Sequence, residues 1–165
     1  MIVSHVILKN WRNFQAVDVA LGDRIFLAGP NASGKSNFLD VFRFLRDIAK
    51  PGGGLQQAVS NRGSISQIRC LAATREPNLE IEVHLASAAG KRPDWKYAIG
   101  IKQEVRGYRQ PLLTFERVWR GDDLLLDRPD ESDKQDVLRL TQTHLEQINA
   151  NTKFREIAKF FEAQT

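Results

Sequence analysis

The chain has 165 residues, enough for one domain with a substantial core. Hydrophobic residues make up 42% and charged residues 27%, ordinary for a globular protein, and no apolar run approaches the roughly 20 residues that span a bilayer. The net charge of +4 (24 basic against 20 acidic side chains) permits nucleic-acid binding without arguing for it, and the single cysteine, Cys70, excludes an internal disulfide.

The chain opens on Ile2-Val3-Ser4-His5-Val6-Ile7-Leu8, which reads as a strand with no signal peptide before it. With the lone cysteine, this gives the expectation of a cytoplasmic protein. A second strand is expected at about 16–21, and Arg24-Ile25-Phe26-Leu27-Ala28 is an apolar run that suits a buried third one. The next eight residues, Gly29-Pro30-Asn31-Ala32-Ser33-Gly34-Lys35-Ser36, fit G-x-x-x-x-G-K-[ST], the phosphate-binding P-loop or Walker A motif. In this pattern Gly29 and Gly34 let the chain curl until the N–H groups of Ala32 to Lys35 form an anion nest. Lys35 is the candidate catalytic residue: its ammonium would stand against the β- and γ-phosphates of ATP, while the Ser36 hydroxyl would ligate Mg²⁺. Residues 36–49 carry a helical apolar stripe, so the predicted order is strand, glycine loop, helix, with the helix N-terminus adding partial positive charge to the nest.

Pro51-Gly52-Gly53-Gly54 ends that helix. Leu55 to Val59 reads as a short helix and Arg62-Gly63-Ser64 as a turn. From 78 to 127 the period becomes 2: Leu79, Ile81, Val83 and Leu85 alternate with polar residues, as do Trp95, Tyr97, Ile99 and Ile101, and two more apolar runs follow at 112–119 and 124–126. Breaks with glycine separate the runs, which predicts an antiparallel meander with one wet face. Beyond about 131 the pattern returns to helical, with one stripe from Val137, Leu138, Leu140, Thr141, His144, Leu145 and Ile148 and another from Phe154, Ile157, Ala158, Phe160 and Phe161.

Strand 2–8, then Leu8-Lys9-Asn10-Trp11-Arg12-Asn13-Phe14, then a strand, then Gly29-Pro30-Asn31 through Lys35-Ser36-Asn37 together resemble the N-terminal half of ABC-type ATPase heads. Such heads occur in structural-maintenance-of-chromosomes proteins, RecF-type repair proteins and overcoming-lysogenisation-defect nucleases. The likeness is closest to stand-alone AAA family ATPases, some acting in anti-phage defence. The resemblance implies an α/β fold: a P-loop NTPase nucleotide-binding lobe with an antiparallel β-subdomain and C-terminal helices. Its division would be lobe I over 1–130, with the meander at about 78–127, and a helical segment over 131–165 that begins a second lobe. It implies an ATPase that binds ATP and Mg²⁺, pairs with a second head as a homodimer or with a C-terminal lobe, and acts on DNA, as in DNA repair, or with a nuclease, away from membranes.

The resemblance also implies site residues: Gly29, Pro30, Asn31, Ala32, Ser33, Gly34, Lys35, Ser36 and Asn37 for the nucleotide, with Arg12 and Asn13 from the turn after the first strand. Arg12 would reach a phosphate, or else be a surface-turn residue; Phe14 reads as core. Gln142 would join Ser36 at the metal as a γ-phosphate sensor, with Gln67 as its rival. Neither a Leu-Ser-Gly-Gly signature nor a Walker B motif with its catalytic glutamate is evident, so the expectation is that both would lie beyond Thr165 and that the isolated chain would be a weak or inactive hydrolase. Leu124-Leu125-Leu126-Asp127 imitates Walker B, but Arg128 follows where a glutamate is needed. His5, His84 and His144 lack metal-ligand spacing, and His84 reads as solvent-facing. Arg106, Arg109, Arg117, Arg120 and Arg128, interleaved with Tyr108, Phe115 and Trp119, read as a solvated sheet face or a DNA-facing one. Two other functions fit the motif: a small P-loop kinase, and a non-hydrolysing module that docks a partner when nucleotide binds.

Overall fold

Alternating apolar residues build a sheet with one dry face. A computed structural model describes residues 1–30, 34–72 and 78–165. Its six strands are β1 (Ile2–Trp11), β2 (Phe14–Ala20), β3 (Leu79–Ala86), β4 (Trp95–Gln103), β5 (Pro111–Arg120) and β6 (Asp123–Arg128). They lie in the order β2-β1-β3-β4-β5-β6, every neighbouring pair antiparallel. On β3 the dry face is Leu79, Ile81, Val83 and Leu85, and β1 adds Val6 and Leu8. The helices α1 (Lys35–Ala49), α2 (Leu55–Ser60), α3 (Ile65–Ile68) and α5 (Arg155–Glu162) contribute apolar residues to this core, and α4 (Glu131–Gln135) follows β6.

The meander expected over 78–127 is β3 to β6. The stripe of α1 buries Phe38, Val41, Phe44, Leu45 and Ile48. Trp11, wholly buried at the end of β1, packs on Phe44 with ring centroids 5.3 Å apart. Leu145, Phe154, Ile157 and Phe161 lie in the same core, so residues beyond 131 pack with the sheet and α1. Among the described residues no helix is long and apolar enough to cross a membrane.

Three expectations need correction. Residues 24–28 are not a strand: no described strand pairs with them, and Ile25, Phe26 and Leu27 are 48%, 88% and 39% exposed. The stripe over 137–148 is not a regular helix but a 3₁₀ turn (Val137–Thr141) followed by turns. Arg128 explains this, because its guanidinium takes the carbonyls of Arg139 (3.0 Å) and Gln142 (2.9 Å), which a continuing helix would need. His84 is not open to solvent: its side chain is 14% exposed, stacks on His5 at 5.1 Å and bonds Glu82 at 2.6 Å.

Arg128 is itself 1% exposed and pairs with two carboxylates that are 0% exposed, Glu116 and Asp133, each at 2.9 Å. Glu116 also accepts the Tyr97 hydroxyl (3.0 Å) and the backbone amides of His144 (2.7 Å) and Leu145 (3.1 Å). Burial of three charges is tolerable because each is paired and hydrogen-bonded; removing one strands the others. Arg128→Met is therefore expected to cost about 3–5 kcal/mol, read as a lower urea midpoint, and an unchanged midpoint would refute the account. Burial, then the nearby Arg128 charge, pushes His144 from its ordinary 6.5 down to about 4. Between those pH values the unfolded chain takes up a proton that the folded chain refuses, so this contribution is complete above about 6.5 and is lost as pH falls toward about 4. His144→Asn is expected to flatten the stability curve over that window, as measured by melting temperature against pH.

Candidate functional site

The candidate site is where the turn between β1 and β2 meets the start of α1. Gly34 is the N-cap of α1 with φ +98, a left-handed conformation that suits glycine. A Cβ there would lie 2.5 Å from Asn13 Nδ2 and 2.9 Å from Phe14 Cζ, so the contact with the β1–β2 turn also requires glycine. Among the described residues no side chain caps α1, and no acidic residue lies in its first turn. Its first N–H groups and its dipole therefore offer a positive end to an anion.

Lys35 curls back over the loop: its ammonium donates to the carbonyls of Gly29 and Pro30, the latter at 3.0 Å. Ser36 is exposed on the first turn of α1. Asn37 ties the site together, because its carbonyl accepts the Trp11 indole N–H at 2.7 Å and its side-chain amide donates to Asn13 Oδ1 at 3.0 Å. Gly29, Pro30, Gly34, Lys35, Ser36, Asn37 and Asn13 are thus gathered, whereas Asn31, Ala32 and Ser33 lie outside the described residues. Arg12 stands beside them in a left-handed conformation (φ 54), its amide donating to the Ile68 carbonyl at 2.6 Å. Arg12, Asn13, Asn37, Gln67, Arg69 and Leu71 line a cleft of about 670 Å³.

A family signature described as "AAA domain, putative AbiEii toxin, Type IV TA system" matches residues 24–165. The chain belongs to this AAA family. The DNA replication and repair protein RecF of Clavibacter sepedonicus is 30% identical over 141 residues, covering 84% of this chain and 33% of RecF. Endonuclease GajA of Bacillus cereus is 43% identical over 47 residues, 28% of this chain and 8% of GajA. The AAA chain thus spans about a third of the length of its RecF relatives. A structure from work on ATP-driven dimerization and DNA-stimulated activation of SMC ATPases has a TM-score of 0.45 and 19% identity, covering 96% of this chain and 98% of that one. The chain is therefore an ATPase-like AAA domain related to RecF and GajA.

Within this AAA domain, Gln142 is not brought to the P-loop. It is exposed and caps the 3₁₀ turn, and the carbonyl of its neighbour Thr141 accepts Gln56 Nε2 at 2.8 Å. Gln56 belongs to α2, which starts beyond the C-terminal end of α1, a helix of 15 residues and so about 22 Å long. Gln67, its rival, lines the cleft with Arg12 and Asn37.

Asp127 is an exposed partner of Arg117 at 2.9 Å on β6. The five arginines do not share one surface either. Arg128 is buried, Arg120 covers the Trp95 ring at 5.2 Å, Arg117 covers Phe115 at 4.7 Å, and Arg106 and Arg109 are exposed in the β4–β5 loop with Tyr108.

Residue-by-residue reading missed Asp40, which carries Arg12 and Arg62 at 2.9 Å each. Its signal was Asp40 and Asp47, two carboxylates seven residues apart on an otherwise apolar helix stripe. Gly34→Ala is expected to destabilise the domain by about 1–3 kcal/mol, through strain at positive φ and overpacking against Asn13 and Phe14, measured by thermal unfolding.

Proposed function

We propose that the AAA domain binds ATP with Mg²⁺ at the start of α1, as one part of an ATPase head. The observation that carries the reading is Lys35 folded over the Gly29 and Pro30 carbonyls beside a helix N-terminus free of acidic side chains. The donor set suits a polyphosphate: an ammonium, helix N–H groups, and the guanidinium of Arg12 close by. Lys35 would neutralise phosphate charge, and Ser36 and the Asn13–Asn37 pair would orient the nucleotide. Ser36 would hold Mg²⁺, whose charge would offset that of the phosphates.

Hydrolysis needs groups that residues 1–165 do not obviously supply. The chain spans a third of its RecF relatives, so we assign the signature, Walker B aspartate and catalytic glutamate to sequence outside this span or to a second head. Coupling to DNA transactions is supported by the likeness to the replication and repair protein RecF and to the endonuclease GajA, and coupling to defence by the toxin–antitoxin description of the family. A docking role, with nucleotide controlling partner binding, is favoured by the exposed Ile25, Phe26 and Leu27 just before the P-loop. The all-antiparallel sheet speaks against a small kinase, which alternates strands and helices.

Calorimetry with ATP and Mg²⁺ tests the reading. Lys35→Ala is expected to weaken binding at least tenfold, on the order expected for a lost charge-assisted hydrogen bond, with little phosphate release from either form. Equal binding by the variant would refute the site.

A further inference from the structure

We propose that Asp40 is a positioning residue for the nucleotide site, acting through Arg12. The inference rests on the ATP-binding reading above.

Asp40 lies on α1 five residues beyond Lys35, with its side chain 17% exposed. Arg62, 8% exposed, grips it with two bonds: Nε to Oδ2 and Nη2 to Oδ1, both at 2.9 Å. Arg62 also donates to Asp47 Oδ2 at 3.0 Å and to the Ala58 carbonyl at 2.8 Å, and its guanidinium lies 5.2 Å from the Phe44 ring centroid. A planar fork held on so many sides does not turn easily, so it fixes the Asp40 carboxylate in turn.

Arg12 is the second cation on this carboxylate, through one bond from Nη2 to Oδ2 at 2.9 Å. Arg62 already bonds both oxygens, so Arg12 is not needed to hold the Asp40 carboxylate in place. Arg62 shares its charge with Asp47, which also takes Arg46 and Lys50, so the cluster of Asp40 and Asp47 with Arg12, Arg62, Arg46 and Lys50 is net positive. Arg12 Nε is buried and, among the described residues, has no hydrogen-bond partner, and a buried donor without a partner is costly. The backbone at Arg12 holds a left-handed conformation that non-glycine residues rarely adopt, clamped by the Ile68 carbonyl and by the pairing of Trp11 with Arg69. A strained backbone, an unfilled donor and an exchangeable ion pair coincide on a side chain that lines the cleft beside Asn37.

The arrangement acts as an aiming device. Asp40 holds the Arg12 guanidinium at the cleft edge by a single bond, which leaves Nη1 to meet an incoming phosphate. On binding, the nucleotide phosphate takes Arg12 donors, and Asp40 keeps its charge because Arg62 stays. Burial alone would raise the Asp40 carboxyl, but hydrogen bonds from Arg62 and Arg12 hold it below the usual carboxylate range, so it remains ionised at neutral pH.

The test is a double-mutant cycle of Asp40→Asn and Arg12→Ala, with ATP–Mg²⁺ affinity measured by calorimetry and Lys35→Ala as control. Each single change is expected to weaken ATP binding on the order of tenfold, and the double variant no more than Arg12→Ala alone. Independent, additive losses, or unchanged or tighter binding by Asp40→Asn, would overturn the proposal while leaving a Lys35-dependent site intact. ATP binding that is absent, or indifferent to Lys35, would overturn both readings. Should Asp40→Asn fail to fold, the Arg12 Nε–H resonance of the wild-type protein decides: ATP is expected to shift it, and a signal unmoved at saturating ATP would sink the idea.

Discussion

A buried helix face cannot keep a carboxylate charged without a partner, and α1 carries two of them. Arg62 resolves this by standing between Asp40 and Asp47, at 2.9 and 3.0 Å, with its guanidinium over Phe44. Arg46 and Lys50 each add a bond to Asp47 at 3.2 Å. The consequence is architectural. Arg62 ends the stretch that begins with α2, so pairing it to α1 fixes α2 and then α3, whose last residues hold the Arg12 amide and the β1 end. Burying an ion pair is a weak source of net stability, because desolvation offsets most of the attraction. It is a strong source of register, since removing either partner leaves a charge with no solvent.

The same logic recurs at the opposite end of the sheet. Arg128, between Glu116 and Asp133, fastens the chain after β6 to β5 and consumes carbonyls that would otherwise extend a helix. The domain therefore uses two planar forks, each bridging two carboxylates, to dock irregular segments against regular ones. A guanidinium suits both places because it presents several donors in one plane and stays charged when buried. A lysine would offer one point charge and would lose its proton more readily.

Much of the frame was legible beforehand because period and punctuation are local. The 3.6-residue stripe of α1 and the period-2 runs of β3 and β4 appear where their patterns place them, and glycine marks the turns. What failed was decided by distant partners. Residues 24–28 have the composition of a strand, but a strand exists only when a neighbour supplies a ladder, and no described strand does. Residues 137–148 have the period of a helix, but Arg128 outbids the backbone for its carbonyls. Arg128 itself looked like one of five solvated arginines, because composition does not reveal which cation meets two buried acids. The site divided the same way. The P-loop run is legible as one continuous motif, whereas the Asn13–Asn37 contact joins segments 24 residues apart, and Gln142, implied by resemblance alone, lies at the far end of α1.

The rest state of Lys35 bears on how such a site would work. Its ammonium is not free in solvent; it rests on two carbonyls of the loop that precedes it. On the proposed reading, a phosphate arriving at the α1 N-terminus would exchange contacts, replacing neutral carbonyls with anionic oxygens on the same cation. Neutral acceptors hold an ammonium less strongly than charged ones, so the exchange would favour the phosphate. Arg12 stands in a parallel relation to Asp40, except that its present partner is already charged and shared with Arg62. The lysine exchange would gain a charge pair, whereas the arginine exchange would move Arg12 from a carboxylate that it shares with Arg62 to a phosphate that it does not share. The two cations would thus answer to different features of the ligand: Lys35 to how much phosphate charge is present, Arg12 to whether an oxygen reaches the cleft beside Asn37.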